Sequence, residues 1–276
     1  MHEILEKRVL NDNTWLMRIA APLVAKRCEP GQFIIFRIDE QGERVPLTIA
    51  DFDRANGSIT IIFQSIGAST TALSKLNQGD YILDFTGPLG NASKLEGHKN
   101  VAIIGGGVGC AIAYPQAKKL FNLGCKVDLI AGFRSKDIVM LEDEMRANST
   151  RLFITTDDGS YGEKGLVTDK LKALIESGEK YDEIIAIGPV IMMKFVTMTA
   201  KTYGIPVTVS LNPIMVDGTG MCGGCRVSIS GETKFACVDG PEFDGYKVDF
   251  DELMRRNTAY KSHESELSHK CRLIKE

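Results

Sequence analysis

The apolar positions change their period once along the chain. Up to about residue 97 they come in short runs, "TWLMRIAA", "QFIIFRID", "VPLTIADF", "SITIIFQSI" and "YILDFTGPLG", divided by Gly, Asn and Asp turn signals. β-Branched and aromatic residues at that spacing predict strands, and many short strands in succession predict an antiparallel barrel. After "LEGHKN" the pattern alternates. "VAII" (101–104) is a continuous apolar strand, a glycine turn follows, and "CAIAYPQAKKLFNLG" reads as a helix stopped at Gly124. Strands at "KVDLIAGF", "RLFITT", "DEIIAIGP" and "PVTVSL" then interleave with helices at "VMLEDEMRA", "VTDKLKALIESG" and "MMKFVTMTAKTYG". Such alternation implies a parallel sheet with both faces covered. From about 211 the chain becomes rich in Gly and Cys, and it ends in a polar tail. The expected fold class is multidomain, β plus α/β, with boundaries at 1–97, 98–210 and 211–276.

Composition narrows the partners. The 276 residues leave room for two or three modules, each with its own core. Lys plus Arg number 33 against 36 Asp plus Glu, and the formal net charge of −3 gives no reason to expect nucleic acid or an anionic membrane. The start, "MHEILEKRVLNDNTW", has acids where a secretory signal needs a basic and then an apolar region. No apolar run approaches membrane-spanning length, so a cytoplasmic protein is expected. Of the 7 cysteines, Cys28, Cys110, Cys125 and Cys271 are scattered, whereas Cys222, Cys225 and Cys237 cluster. In a reducing compartment, clustered thiols read as metal ligands before they read as disulfides.

Two segments of the strand-rich part carry candidate chemistry. In "ERVPLTIAD", Arg44 and Pro46 occupy strand positions although proline cannot donate to a ladder and favours an edge. A ligand along that edge accounts for both: the guanidinium meets phosphate oxygens, and the backbone with Thr48 meets a flat ring. An exposed arginine on an edge strand is the plainer alternative. In "SIGASTTALSKL" (65–76), Gly67, Ser69 and Thr70 precede a short helix, where backbone N–H groups and hydroxyls suit a pyrophosphate or simply cap the helix.

The alternating part offers three more. "IIGGGVGCAIAYP" follows a strand and opens a helix, the context of a phosphate-cradling turn. It departs from the strict dinucleotide fingerprint, because Gly105-x-Gly107-x-x leads to Cys110 and the following acid, Asp128, lies inside a strand. "TTDDGSYGEKGLVTD" (155–169) and "AIGPVIMM" (186–193) also follow predicted strands, at the carboxyl ends where such sheets bind ligands. Asp157 and Asp158 would repel a 2′-phosphate and so favour NAD(H) over NADP(H), unless they are solvated turn acids.

The cysteine cluster has a register. Plant-type [2Fe–2S] ligation is spaced C-x4-C-x2-C with a distant fourth cysteine. Counted back from Cys222, that rule lands on Asp217, giving Asp217-x4-Cys222-x2-Cys225-x11-Cys237. Carboxylate is a harder donor than thiolate but carries the same charge. Glycines 218, 220, 223 and 224 fit a loop whose N–H groups turn toward the sulfurs. Two alternatives stay open: tetrahedral zinc on the three cysteines with Asp217, His263 or His269, and Cys271 as the fourth cluster ligand.

On these motifs the chain resembles the ferredoxin-reductase family, with its Arg-x-Pro-x-Ser/Thr strand, Gly-Gly-Gly-x-Gly turn and Gly-Pro-x-x-Met turn. With "VSLNPIMVDGTGMCGGCRV" and "CVDGPEFDG" added, it is similar along essentially its whole length to the small, NADH-linked subunits of electron-bifurcating NADH-dependent reduced ferredoxin:NADP+ oxidoreductases. The electron-transfer subunits of dihydroorotate dehydrogenase are cousins, usually with cysteine where Asp217 stands. The resemblance implies an N-terminal FAD-binding barrel, a ferredoxin-reductase-like nucleotide domain for NAD(H), and a C-terminal [2Fe–2S] module. It implies Arg44, Pro46, Leu47, Thr48, Gly67, Ser69 and Thr70 for FAD, and Gly105, Gly106, Gly107, Val108, Gly109, Asp158 and Gly188 for the nicotinamide nucleotide. Asp217, Cys222, Cys225 and Cys237 would hold the cluster. It implies a larger partner subunit with a second flavin and further clusters, through which ferredoxin and NADP(H) are reached, and no acid or base catalyst in this chain. A stand-alone flavin or ferredoxin reductase remains a rival, as does a zinc-stapled nucleotide-binding module.

Overall fold

The structure, a computed structural model, describes residues 1–259. His263, His269, Cys271 and the tail "SHESELSHKCRLIKE" lie outside the described residues. The chain forms two compact units. One comprises Met1–Ala92, Pro213–Pro241 and the described residues from Asp251 onward; the other comprises Ser93–Asn212 and Glu242–Phe250.

The first unit is built from β1 (His2–Asn11), β2 (Thr14–Ala20), α1 (Pro22–Ala25), β3 (Phe33–Arg37), β4 (Val45–Asp53), β5 (Ser58–Gln64), α2 (Ala68–Lys75), β6 (Tyr81–Ile82) and β7 (Asp84–Leu89). Its strands pair in the order β6-β1-β2-β5-β4-β3-β7, antiparallel throughout. β6 and β7 stand at opposite edges of that order, yet only Leu83 separates them in sequence. The sheet must therefore curl into the nearly closed barrel expected of it. Period-2 alternation fills the inside: Ile59, Ile61 and Phe63 of β5, with Ile34 and Phe36 of β3, are buried in one cluster with Met17 and Ile19 of β2. Each such side chain contributes roughly 1.5–3 kcal/mol on burial.

The second unit contains β8 (Asn100–Gly106), α3 (Gly109–Asn122), β9 (Lys126–Phe133), α4 (Glu142–Ala147), β10 (Arg151–Thr156), β11 (Glu163–Lys164), α5 (Val167–Glu176), β12 (Glu183–Ile187), α6 (Val190–Thr202) and β13 (Val207–Ser210). The chain then returns to the first unit for the hairpin β14 (Arg226–Ile229) and β15 (Glu232–Phe235). It completes the second sheet with β16 (Glu242–Asp244) and continues into α7 (Phe250–Asn257). The strand order is β11-β10-β9-β8-β12-β13-β16, parallel except for β16 against β13. Val101–Ile104 of β8 are fully buried, as a central strand with helices over both faces requires; α3 and α5 both pack on it.

The topology fixes where a ligand can go. From β8 the chain steps outward to β9 and β10, then crosses back to β12 on the other side of β8. Strand order reverses between β8 and β12, and the crevice at their carboxyl ends is where sheets of this kind bind ligands. β8 ends in Gly105 and Gly106, and β12 ends just before Gly188.

Candidate functional site

The two glycine turns interlock at that reversal. A Cβ on Gly109 would lie 2.4 Å from the Ile187 carbonyl oxygen, and one on Gly106 would lie 2.5 Å from Met192 Sδ and 3.0 Å from Pro189 Cδ. A Cβ on Gly188 would meet Met192 Cε at 2.9 Å and Gly106 N at 3.1 Å. The Gly-Gly-Gly-x-Gly and Gly-Pro-x-x-Met segments, whose first glycines, Gly105 and Gly188, are 83 positions apart, thus form one surface with no room for side chains on these glycines. Gly107 differs: its φ is +56° and nothing stands within 4 Å of its missing Cβ, so it serves the turn's conformation and leaves open space. Val108 precedes the first residue of α3. The N-terminus of that 14-residue helix opens at the crevice, with the N–H groups of Cys110 and Ala111 already donating to the Gly107 (3.1 Å) and Val108 (3.0 Å) carbonyls of the turn. Cys110 stands where the strict fingerprint has glycine. It is fully buried against Gly105, and burial pushes its thiol up to about 12, so it is an inert packing residue.

The acids divide. Asp158 lies exposed just past β10, where its Oδ1 accepts from the Ser160 hydroxyl (2.6 Å) and the Ser160 N–H (2.9 Å). These bonds hold it below the usual carboxylate range and therefore charged. Asp128 is fully buried within β9 and accepts from Arg151 Nε (2.8 Å) and the Tyr181 hydroxyl (2.8 Å). Burial raises its pKa, but the bonds from Arg151 and Tyr181 outweigh that and keep it low. It is a structural ion pair and points at no ribose.

In the barrel, Arg44 lies one residue before β4 and is exposed. Phe36 pairs with Val45, Ile35 with Pro46, Ile34 with Leu47 and Phe33 with Thr48, whereas pairing of β4 with β5 begins only at Ile49. Residues 45–48 therefore have a ladder partner on one side, which is how a proline is tolerated in a strand interior to the sheet order. Their other edge is open to a ligand. At the start of α2 the hydroxyls are already engaged: Ser69 Oγ donates to Glu43 Oε2 (2.8 Å), and Thr70 Oγ1 accepts from Ile66 N (3.1 Å) and Gly67 N (3.2 Å). The helix N-terminus itself offers the backbone N–H groups that follow Gly67.

The cysteine loop belongs to the same unit as the barrel. Cys225 and Cys237 are buried with their sulfurs 3.2 Å apart, and Cys222 is exposed. Gly224 N donates to Cys222 Sγ (3.4 Å) and Cys237 N to Cys225 Sγ (3.4 Å), the inward N–H groups expected around cluster sulfurs. Burial first, then Cys225, keeps the Cys237 thiol protonated, a proton that metal binding would release. Asp217 is held below its ordinary range chiefly by the Thr219 hydroxyl, which donates to Oδ1 at 2.7 Å. Its Oδ2 accepts from Thr219 N (3.2 Å), Met221 N (3.1 Å) and Cys222 N (3.4 Å). Among the described residues, no three donors have already converged as a metal set. The donor chemistry nonetheless fits an iron–sulfur centre: two thiols in contact, a third thiol and a carboxylate on one glycine-rich loop, and N–H groups aimed at sulfur.

That loop rests on the outside of the barrel. Gly218, at φ +79°, packs against Ile35 and Leu89, where a Cβ would lie 2.7 Å and 2.8 Å from their Cδ1 atoms. A small cleft there is lined by Ile35, Arg37, Arg44, Asp84, Thr86 and Asp217. It joins Arg44 and Asp217, which the sequence assigned to different groups. Arg37 and Asp84 are additions that sequence reasoning missed. Arg37 donates to Asp84 Oδ2 from Nε (2.7 Å) and Nη2 (2.6 Å) across the β3–β7 ladder. No local signal reveals that pairing, since 47 positions separate the two.

Comparison with known proteins agrees with this layout. Residues 212–249 match the family model described as the iron–sulfur cluster binding domain of dihydroorotate dehydrogenase B. A Thermotoga maritima protein named as a homolog of the dihydroorotate dehydrogenase B (NAD(+)) electron transfer subunit is 47% identical, over 96% of this chain and 93% of that protein. The electron transfer subunit of that enzyme from Geobacillus thermodenitrificans is 34% identical, over 89% and 96%. A chain in the structure of NADH-dependent reduced ferredoxin–NADP oxidoreductase, described for flavin-based electron bifurcation, is 45% identical with a TM-score of 0.93, covering 98% of this chain and 97% of that one. Ferredoxin reductases of much lower identity share the fold. No described helix is long and apolar enough to cross a membrane. The chain belongs to the family of dihydroorotate dehydrogenase B electron transfer subunits and their homologues, oxidoreductase subunits that join a ferredoxin-reductase-like fold to an iron–sulfur binding segment.

Proposed function

We propose that this chain exchanges hydride between NAD(H) and FAD and passes single electrons through a [2Fe–2S] cluster to a larger flavin- and iron–sulfur-containing partner. NADP(H) and ferredoxin are reached through that partner, in the cytoplasm, as in a bifurcating transhydrogenase. The observation that carries this reading is the cleft shared by Arg44 and Asp217. With flavin on the Val45–Thr48 edge and a cluster on the Asp217 loop, the two would be neighbours, which an electron path between them needs. A flavin bound here supplies two-electron exchange with nicotinamide and one-electron exchange with an iron–sulfur centre.

The chain's own part is positional. The open edge of Val45–Thr48 orients a flat ring, Arg44 neutralises phosphate, and the N–H groups after Gly67 take up the rest of the pyrophosphate. The Gly105–Gly109 and Gly188 turns admit a dinucleotide backbone at van der Waals distance, and charged Asp158 disfavours a 2′-phosphate. Asp217, Cys222, Cys225 and Cys237 hold the cluster, with Cys222 and Met221 exposed toward a redox partner. Two relatives' names favour dihydroorotate dehydrogenase as that partner; aspartate in place of the usual cysteine favours the transhydrogenase.

The test is anoxic purification with counts of FAD, iron, sulfide and zinc, in wild type and two variants. Asp217→Cys keeps iron and sulfide with an altered spectrum, and Asp217→Ala loses or loosens the cluster. Zinc without sulfide would sink the electron-transfer reading; an unchanged spectrum in Asp217→Ala would remove Asp217 from the ligand set.

A further inference from the structure

The cleft beside Asp217 holds four formal charges that cancel: the guanidiniums of Arg37 and Arg44, and the carboxylates of Asp84 and Asp217. Arg37 and Asp84 are ladder partners on β3 and β7, as are Ile35 and Thr86, so their four side chains share one face. That is the outward face, because the intervening Ile34, Phe36 and Phe85 are buried in the barrel core. The loop that carries Asp217 is pinned to it by the contact of Gly218 with Ile35 and Leu89. Arg37 is bound to Asp84 by two short contacts to the same oxygen, so its charge is spent there. Arg44 has no such partner among the described residues.

We propose that the Arg37–Asp84 ion pair sets the reduction potential of the iron–sulfur cluster at the Asp217 loop, because the paired side chains together place no net charge beside that loop. The inference rests on the reading of that loop as the cluster site. Reduction adds one electron, and hence one negative charge, to the cluster; no bond forms or breaks and no proton moves. Charge and hydrogen bonding around a cluster are the protein's means of tuning that step. Removing Arg37 leaves Asp84 uncompensated beside Asp217, so reduction becomes harder and the potential falls. Removing Asp84 releases the Arg37 charge, so the potential rises. Removing both restores neutrality.

The experiment is a redox titration of the purified anoxic chain followed by electron paramagnetic resonance, with iron and sulfide counted first. Arg37→Gln is expected to lower the midpoint and Asp84→Asn to raise it, each by on the order of tenfold in the electron-exchange equilibrium, about 59 mV for one electron. The double variant returns toward wild type, and Arg37→Lys, which keeps the charge, stays near it. Intact clusters whose midpoints do not move, or move the same way in both single variants, overturn the proposal. Absence of iron and sulfide from the wild-type chain overturns the cluster reading itself. Should Arg37→Gln fail to fold, Asp84→Asn and the double variant decide the sign alone.

Discussion

Replacing Gly109 with alanine puts a methyl group where two backbone segments already touch. Its Cβ would stand 2.4 Å from the Ile187 oxygen and 2.7 Å from Gly188 Cα. Neither atom belongs to a side chain that can rotate away. Non-bonded carbons rest at about 3.5–4.0 Å, so the start of α3 and the end of β12 must part by roughly 1 Å. Overpacking of this kind typically costs about 1–3 kcal/mol. At about 2–4 °C per kcal/mol, the thermal transition of the second unit falls by roughly 2–12 °C. Function should suffer more, because the two segments that part are the walls of the crevice proposed for the nucleotide. A displacement of about 1 Å in a positioned site can cost on the order of 100-fold in rate. Rapid mixing of the FAD-loaded chain with NADH, followed by flavin absorbance, reads that loss directly. FAD and iron content should stay at wild-type levels, since both would reside in the other unit. For stability alone Gly107→Ala is the comparison: its Cβ meets no protein atom within 4 Å and carries only the strain of φ +56°, about 1–2 kcal/mol. Wild-type reduction rate and melting temperature in Gly109→Ala would refute the reasoning.

Asp128→Asn should destabilise the second unit by about 3 kcal/mol at neutral pH, the low end for a broken buried pair because Arg151 also contacts Glu179 (2.8 Å). The Asp128 pKa is depressed in the fold, so its contribution is full above the unfolded value near 4 and drains away as pH falls through the folded one. Chemical denaturation at pH 7 and pH 3 should show the gap closing with acid, while the KM for NADH stays unchanged; a raised KM without loss of stability would restore a ribose role. Glu242 has the opposite sign: burial lifts its pKa from 4.5 to about 7, against hydrogen bonds from Ser93 and Gln116 and with a small push from Glu183. Its contribution is present at low pH and lost as pH rises through 7, so Glu242→Gln should raise stability at pH 8 by up to about 3 kcal/mol and do little at pH 4.5. Parallel pH–stability curves for the two proteins would count against a buried acid there.

What a single sequence could show was whatever neighbours along the chain decide. "KVDLIAGF" and "RLFITT" are β9 and β10 to the residue, because a strand buried on both faces writes itself as an apolar run. β1 escaped notice for the converse reason. Of its ten residues only Ile4 is buried, so it shows neither a run nor an alternation. The β14–β15 hairpin did carry a signal: Ser230-Gly231 between two strand-like runs adopts φ of +53° and +80°, as a tight primed turn requires. In the candidate site, the glycine turns and the Asp217 register were visible, since close approach of one backbone segment to another, as at Gly109 against Ile187, removes side chains at fixed spacing. Side chains satisfied from a distance were not. Ser69 looks poised for phosphate until Glu43, 26 positions earlier, takes its hydroxyl.

Aspartate at position 217 is explained only in part by its register with the cysteines. A thiolate there could ligate iron, but sulfur is a weak acceptor, and the structure gives this side chain four donors from its own loop. The carboxylate ties Thr219, Met221 and Cys222 into one turn, so the segment that presents Cys222 is shaped by the same residue that would complete the ligand set. Asp217→Ala removes both at once, and a lost cluster in that variant does not distinguish a missing ligand from a slack loop. Asp217→Cys does, because it supplies a ligand and withdraws the acceptor. A cluster retained with full iron assigns the loss in alanine to ligation, and a cluster that forms but is easily shed assigns it to the turn.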